Sequence, residues 1–286
     1  MIFIQIASYR DPELVPTIKN LLETADNPDN LVFGIARQYH SDDGFDDLSL
    51  FNNDKRFKIL NIPYKESMGV CWARRLIQEL YSGEDYTLQI DSHMRFVDKW
   101  DSTLIRYIEE LKDKNILKPI ITTYAPLYDP DNDPNGREKI PWGMKFDKIS
   151  PQGVALFIPT RISDWKNRDE YSPSKFYSGH FAFTIGQFCL DVPHDPHLYF
   201  HGEEASISLR AFTNGYDFFE PNRLICWHEY TRKNRTKHWD DNQEWSKMNR
   251  ESINRYKKLI IEDLEEYGLG KIRTKEEYEN HTQIKL

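Results

Sequence analysis

An aspartate and a histidine directly follow an apolar segment in the first third of the chain. Residues 86–90 read Tyr-Thr-Leu-Gln-Ile and have the length and composition of a buried strand. Because alternate side chains of an extended chain share a face, Asp91 and His93 are expected to point the same way. A carboxylate and an imidazole at the carboxyl end of a central strand form half of a divalent-metal site, where open α/β sheets bind ligands. The alternative is a strand followed by a polar turn.

A second apolar segment, residues 224–227, delivers His228 at its end. A single histidine at a strand end is usually structural. Here it would supply the third ligand that Asp91 and His93 lack. Such a set leaves positions open for a diphosphate, as divalent ions at phosphates commonly require.

Three further polar residues stand one or two positions after Gly179 or Gly202, where the backbone can approach a ligand closely. They are His180 and the pair Glu203 and Glu204. The two glutamates open a predicted helix over residues 203–212, and carboxylates in a first turn are stabilised without any catalytic role. Successive helical residues diverge by about 100°, so only one of the pair can face a cleft. We assign that role to Glu204.

Basic residues stand at two element boundaries. The first predicted strand ends at Ser8, and Arg10 and Asp11 then lead into a helix, whose N-terminus favours an anion beside the guanidinium. Asp11 itself is expected to cap that helix. Arg74 lies next to the buried stripe of a later helix and is a candidate ligand contact, although basic pairs such as Arg74 and Arg75 commonly form a solvated edge. No G-x-G-x-x-G dinucleotide fingerprint occurs.

Composition limits the partners. A net charge of −8 argues against a nucleic-acid partner but not against a nucleotide. No apolar run approaches 18 residues, and the N-terminus lacks a basic region before its short apolar segment. The three cysteines, Cys71, Cys189 and Cys226, have no metal-type spacing and are expected to be core residues. We expect a soluble, cytoplasmic protein without a membrane span.

Strand and helix patterns alternate along the first 126 residues, which predicts a mostly parallel sheet with helices on its faces. The predicted strands are 2–8, 31–36, 57–62, 86–90 and 119–124. Further strands are predicted over 154–159, 181–185, 216–219 and 224–227, and polar loops over 127–143 and 163–175. The tail from residue 241 has the pattern of a single amphipathic helix.

In sequence order these segments resemble a glycosyltransferase of the GT-A type. More specifically, four of them are similar to the cytoplasmic polypeptide N-acetylglucosaminyltransferases that modify hydroxyproline on a ubiquitin-ligase subunit. The resemblance runs from about residue 2 to about residue 230, and its most specific parts are D-S-H-M-R-F and H-G-E-E. The segments that carry it are residues 4–12, 69–75, 89–96 and 200–204.

The resemblance implies UDP-N-acetylglucosamine as donor, Mn²⁺ or Mg²⁺ as cofactor, and retention of anomeric configuration. It does not carry over the acceptor, for which we expect a hydroxyl of a protein (hydroxyproline, Ser or Thr) or of a glycan. We predict a GT-A-like domain over 1–232, with a nucleotide-binding half to 126 and an acceptor half from 127. A helical extension is predicted over 233–286, a region to which the resemblance does not extend. The implied roles are metal ligands for Asp91, His93 and His228, contacts near the uridine diphosphate for Ser8, Arg10, Arg74 and Asp91, and contacts near sugar or acceptor for His180, Glu203 and Glu204.

Two other classes remain open. A metal-dependent phosphohydrolase or nucleotidyltransferase would use the same ligands, although the sequence has no dense Asp/Glu/His cluster suited to two metals. A non-catalytic module would bind sugar or protein through its 16 Tyr, 16 Phe and 7 Trp residues.

Overall fold

The computed structural model describes residues 1–233 and 235–286. Twelve strands are formed within these ranges: β1 Ile2–Tyr9, β2 Leu31–Tyr39, β3 Phe57–Pro63, β4 Tyr86–Asp91, β5 Met94–Phe96, β6 Pro119–Thr122, β7 Trp142–Ile149, β8 Ala155–Arg161, β9 Tyr171–Pro173, β10 Phe181–Ile185, β11 Asp217–Pro221 and β12 Cys226–His228. The α-helices in the same ranges are α1 Leu14–Thr24, α2 Val70–Gln78, α3 Trp100–Asp113, α4 Phe188–Asp191, α5 Glu203–Thr213, α6 His238–Asp241, α7 Trp245–Ile261 and α8 Lys275–Thr282.

Eight strands form the central sheet, in the order β3-β2-β1-β4-β10-β6-β11-β9. The pairs β1–β2, β1–β4, β2–β3 and β6–β11 are parallel, whereas β10 runs antiparallel to both of its neighbours and β9 is antiparallel to β11. The predicted mostly parallel α/β sheet is therefore confirmed. The near-continuous apolar sequence of β1 reflects its burial on both faces.

Helices cover both faces of the sheet. On one face α1 and α3 bury a shared apolar core, to which Trp100, Leu104 and Ile108 contribute at helical spacing. On the other face α2 packs Ala73 and Ile77 against β1 and β2. Among the described residues no helix combines the length and the apolar character that crossing a bilayer requires.

The topology brings the sequence motifs to one edge. β1 and β4 are parallel neighbours, so the turns that follow them lie side by side at their carboxyl ends. β10 is antiparallel to β4 and starts at the same edge, which places His180 there. β12 pairs with β5 so that His228 lies opposite Met94, the residue after His93.

Three segments differ from the sequence-based expectation. The predicted loop over 163–175 contains β9, which has only three residues and exists because β11 offers it an edge. A strand that the sequence analysis missed, β7, pairs with β8 in a separate two-stranded sheet, where much of its outer face is exposed. The tail from residue 241 forms two helices, α7 and α8, rather than one, and the short helix α6 precedes them. A capping box of Thr274 and Glu277 starts α8.

One side chain of α1 holds the turn between β4 and β5. The hydroxyl of Thr17 donates to the Ser92 carbonyl at 2.9 Å and accepts from the Met94 amide at 2.9 Å. Thr17 is fully buried. These bonds fix the backbone on both sides of His93.

Replacing Thr17 with Val keeps the shape but leaves the backbone groups of Ser92 and Met94 without their partner. We expect the free energy of unfolding to fall by about 1–3 kcal/mol, the cost of unsatisfied buried polar groups. Urea denaturation measures it. Thr24→Val is the matched control, because the Thr24 hydroxyl bonds only within α1, to the Asn20 carbonyl. Equal losses in the two variants would contradict the anchoring role.

Candidate functional site

A cavity of about 820 Å³ opens at the edge of the sheet where the motifs converge. This volume lies within the range of small-molecule sites. One wall is apolar and comes from residues 154–159 of β8 and the loop before it. The opposite side is polar and includes Asp91, His93, His180, Glu204 and His228.

Asp91, His93 and His228 form a close cluster on this polar side. The His93 and His228 Nε2 atoms are 3.0 Å apart, and Asp91 Oδ2 lies 3.1 Å from His228 Nε2 and 3.6 Å from His93 Nε2. Two adjacent ligands of an octahedral ion, each about 2.1 Å from the metal, are roughly 3.0 Å apart. The three atoms therefore fit one face of an octahedral cation such as Mg²⁺ or Mn²⁺.

The protonation of the cluster suits metal ligation. Asp11 Oδ2 accepts from His93 Nδ1 at 2.7 Å, so the lone pair of His93 Nε2 is directed at the cluster. Burial lowers the pKa of His228 to about 4, which keeps that ring neutral at neutral pH. Burial opposes the charge of Asp91, but the His228 hydrogen bond and the positive charge of Arg74 hold the pKa of Asp91 well below its usual range.

Arg74 joins the cluster to the acidic pair. Its guanidinium donates to Asp91 Oδ1 at 2.7 Å and to Glu203 Oε1, and its side chain is buried. Burial opposes its charge, yet the two carboxylates raise the pKa of Arg74. Glu203 is 6% exposed and pairs with this guanidinium.

Glu204 is directed differently from Glu203. Its carboxylate accepts from the Tyr124 hydroxyl at 2.5 Å and from the Gly179 amide at 2.8 Å. Burial raises the pKa of Glu204 to about 7, although both hydrogen bonds favour the charged form. Glu204 is partly exposed and lies on the cavity wall. With this pKa, its carboxyl changes protonation near neutral pH.

His180 is fixed in one tautomer. Its Nε2 accepts from the Ala125 amide at 2.9 Å, so the ring proton is on Nδ1. The ring stacks on Tyr124 and lies 4.5 Å from the His228 ring, centroid to centroid. Burial holds the pKa of His180 well below its usual range, so it is a neutral hydrogen-bond donor on the cavity wall.

Ser8 and Arg10 lie outside the cavity wall. Ser8 is fully buried, and Arg10 pairs with Asp43 at 2.6 Å and with Asp241 at 2.9 Å. Arg10 thus ties the end of β1 to α6. The structure brings together the other seven predicted site residues: Arg74, Asp91, His93, His180, Glu203, Glu204 and His228.

The sequence analysis assigned Asp11 only a capping role. Asp11 does accept from the Glu13 amide at 2.9 Å, but its second oxygen holds His93. Arg235 was also missed: its Nη1 lies 2.7 Å from His93 Nε2 and 3.1 Å from Asp11 Oδ2. The sequence shows a carboxylate just after β1, so a site role for Asp11 could have been predicted. Arg235 lies in a segment without periodicity, so no sequence pattern pointed to it.

The family model described as glycosyltransferase (GlcNAc) matches residues 1–55 and 45–286. The chain belongs to this family. Its fold is similar to the crystal structure of GalNAc-T7 with UDP, GalNAc and Mn²⁺, with a TM-score of 0.62 and 13% identity over 100% of this chain and 55% of that chain. It is also similar to S. aureus TarS 1–349 in complex with UDP-GlcNAc, with a TM-score of 0.51 and 13% identity over 93% of this chain and 68% of that chain. No curated protein sequence matches the chain.

Both neighbours are GT-A structures, which agrees with the fold class expected for a member of the GlcNAc glycosyltransferase family. The chain spans about half the length of the GalNAc-T7 chain. The family match continues to residue 286 and so includes the three helices of the tail.

The raised pKa of Glu204 predicts a pH-dependent stability difference. The folded-state pKa, about 7, lies above the ordinary value of 4.5. The folded protein therefore binds this proton more tightly, so the contribution is complete below pH 4.5 and is lost as pH rises through 7. Relative to Glu204→Gln, we expect the wild type to lose stability between these values and to level off above them.

Urea denaturation of both proteins across this pH range tests the prediction. Glu66→Gln, at an exposed position, controls for removal of one charge. Parallel stability profiles for the wild type and Glu204→Gln would show that Glu204 titrates normally.

Proposed function

We propose that this protein transfers N-acetylglucosamine from UDP-N-acetylglucosamine to a hydroxyl acceptor, with a divalent metal ion. The observation that carries the proposal is the cluster of Asp91, His93 and His228 at the edge of a GT-A sheet, in a chain of the GlcNAc glycosyltransferase family. The family description and the UDP-GlcNAc complex of S. aureus TarS support the donor.

In this proposal Asp91, His93 and His228 hold Mn²⁺ or Mg²⁺. The ion would neutralise the charge that develops on the departing diphosphate, where preorganised electrostatics has its largest effect. The Mn²⁺ in the GalNAc-T7 structure supports this choice of metal. Arg235 now lies 2.7 Å from His93 Nε2, so a cation on that nitrogen requires the guanidinium to move.

The remaining polar residues have separate tasks. Arg74 holds Asp91 in place and adds positive charge near the diphosphate, while Glu203 compensates that charge. His180 Nδ1 and the Glu204 carboxylate face the cavity and would bind hydroxyls of the sugar or acceptor. If configuration is retained, Glu204 need not be a covalent nucleophile. Its charged form would stabilise positive charge at the anomeric carbon.

We propose a hydroxyl acceptor, whose identity the resemblance to the hydroxyproline-modifying family does not carry over. It is a hydroxyl of a protein, on hydroxyproline, Ser or Thr, or of a glycan, in the cytoplasmic setting of that family.

The proposed domain division is a transferase domain over 1–232 and a helical extension over 233–286. The cavity of about 820 Å³ offers room beyond a nucleotide sugar, and the apolar wall of β8 is the acceptor side in this proposal.

A donor screen tests the function. Purified protein is incubated with UDP-, GDP- and CMP-sugars, with and without Mn²⁺, and released nucleotide is measured. We expect UDP release from UDP-N-acetylglucosamine that stops when EDTA removes the metal and in the folded variants His93→Ala and His228→Ala. The control is Cys226→Ser, a buried residue of the same strand that is not a member of the cluster. Metal-independent release would count against the cluster, and no release from any donor would favour a binding module.

Asp11 gives a finer test of the metal site. Asp11→Asn removes the charge that orients His93, and such partners of metal-bound histidines typically change metal affinity 10–100-fold. We expect Mn²⁺ binding, followed by paramagnetic resonance of the free ion in the presence of UDP, to weaken by about that factor. Ser92→Ala is the matched control, because it removes another donor to Asp11 but keeps the His93 bond. Unchanged Mn²⁺ affinity in Asp11→Asn would refute the role.

A further inference from the structure

A second group of metal-ligand residues lies behind the ion pair of Arg74 and Glu203. Cys71 of α2, His194 of the segment after α4, and Glu203 of α5 place one donor atom each within 4.8 Å of one another. Their exposed fractions are 0%, 1% and 6%. Cys71 is distant in sequence from His194 and Glu203, so the spacing of the three gives no motif.

The hydrogen bonds of His194 determine where its lone pair points. The Gln89 side-chain nitrogen donates to the Gly179 carbonyl at 2.8 Å, so the Gln89 oxygen is an acceptor. His194 Nε2 lies 2.5 Å from that oxygen and must carry the ring proton. His194 Nδ1 is then an unprotonated acceptor. It is buried and has no hydrogen-bond partner within the described part of the chain.

This lone pair faces another acceptor. His194 Nδ1 lies 3.6 Å from Glu203 Oε1, beyond the normal range of a hydrogen bond. Two nitrogen or oxygen ligands about 2.1 Å from a tetrahedral ion are roughly 3.4 Å apart. The separation therefore suits two ligands of one ion better than a shared proton. Burial and the charge of Arg74 lower the pKa of His194, which keeps its ring neutral.

The charges around the group also balance when a divalent ion is added. A thiolate at Cys71 and the carboxylate of Glu203 would match the two charges of the ion. Arg74 would then be matched by Asp91, with which it already pairs. Without a metal, burial and the nearby Glu203 raise the pKa of the Cys71 thiol, so binding must release a proton.

We propose that Cys71, His194 and Glu203 bind one zinc ion, in a site separate from the cluster of Asp91, His93 and His228. Sulfur, imidazole and carboxylate are the ligand types that Zn²⁺ takes in tetrahedral sites. Glu203 lines the large cavity whereas Cys71 and His194 do not, so in this proposal an ion enters past the Glu203 carboxylate. The ion ties α2, the segment after α4 and α5 together behind Arg74. This site does not depend on the proposed transferase function.

Cobalt substitution tests the site spectroscopically. The protein is stripped with a chelator and titrated with Co²⁺, which absorbs visible light strongly in tetrahedral sites and gives a near-ultraviolet charge-transfer band when bound to a thiolate. We expect both features to saturate at about one equivalent and to be displaced by Zn²⁺. The Asp91 cluster contains no sulfur, so Co²⁺ bound there gives no charge-transfer band.

Variants assign the band. Cys71→Ser should abolish it, while Cys189→Ser should keep it, because Cys189 is also buried but its thiol bonds to Gln5 and Thr87 and lies outside the proposed ligand group. Circular dichroism checks that each variant folds. If Cys71→Ser does not fold, His194→Gln is tested in its place. A wild type without the charge-transfer band at saturating Co²⁺ overturns the proposal, as does a band that persists in Cys71→Ser.

Discussion

The arrangement of the site depends on one buried charge. Arg74 lies on α2 with its side chain buried, and an unpaired guanidinium there would strongly destabilise the fold. It is compensated by Asp91 at the end of β4 and by Glu203 at the start of α5. The ion pairs therefore join two parts of the chain separated by more than one hundred residues. Removing either carboxylate leaves a buried charge without its partner, so the polar side of the cavity is held as a unit.

Much of this could be predicted from local signals. The apolar runs that end in Asp91 and His228 are strands, and the carboxyl end of β4 lies at the sheet edge where such folds bind ligands. His228 reaches the same place because β12 pairs with β5 in a separate two-stranded sheet. Because neighbouring helical residues point about 100° apart, Glu203 and Glu204 were expected to face different ways. In the structure Glu203 bonds to Arg74, whereas Glu204 bonds to Tyr124. Asp11 was expected to cap α1, but the N-cap position is Glu13 and the Asp11 carboxylate accepts from the Glu13 amide just before the helix. Its bond to His93 could not be predicted locally, because it requires that β1 and β4 be neighbours.

Other features depend on tertiary contacts that no local pattern records. β9 is a strand only because the edge of β11 is available to it. The resemblance placed Ser8 near the uridine diphosphate; in the structure its side chain is buried, and which face of a strand a residue takes depends on the packing of the sheet. The antiparallel direction of β10 follows from the path of the chain through the β7–β8 hairpin, which the sequence does not reveal.

The position of β10 also constrains the order in which this protein can be made. β10 is hydrogen-bonded to β4 on one side and to β6 on the other, although it follows them in the chain by about 60 to 100 residues. On the ribosome, the strands up to β6 are synthesised while the slot between β4 and β6 has no occupant. Two open strand edges then face each other until residue 185 emerges, and such edges are prone to pairing with other chains. The central sheet is therefore completed late in synthesis, and a nascent chain that stalls before β10 is a natural client for chaperones.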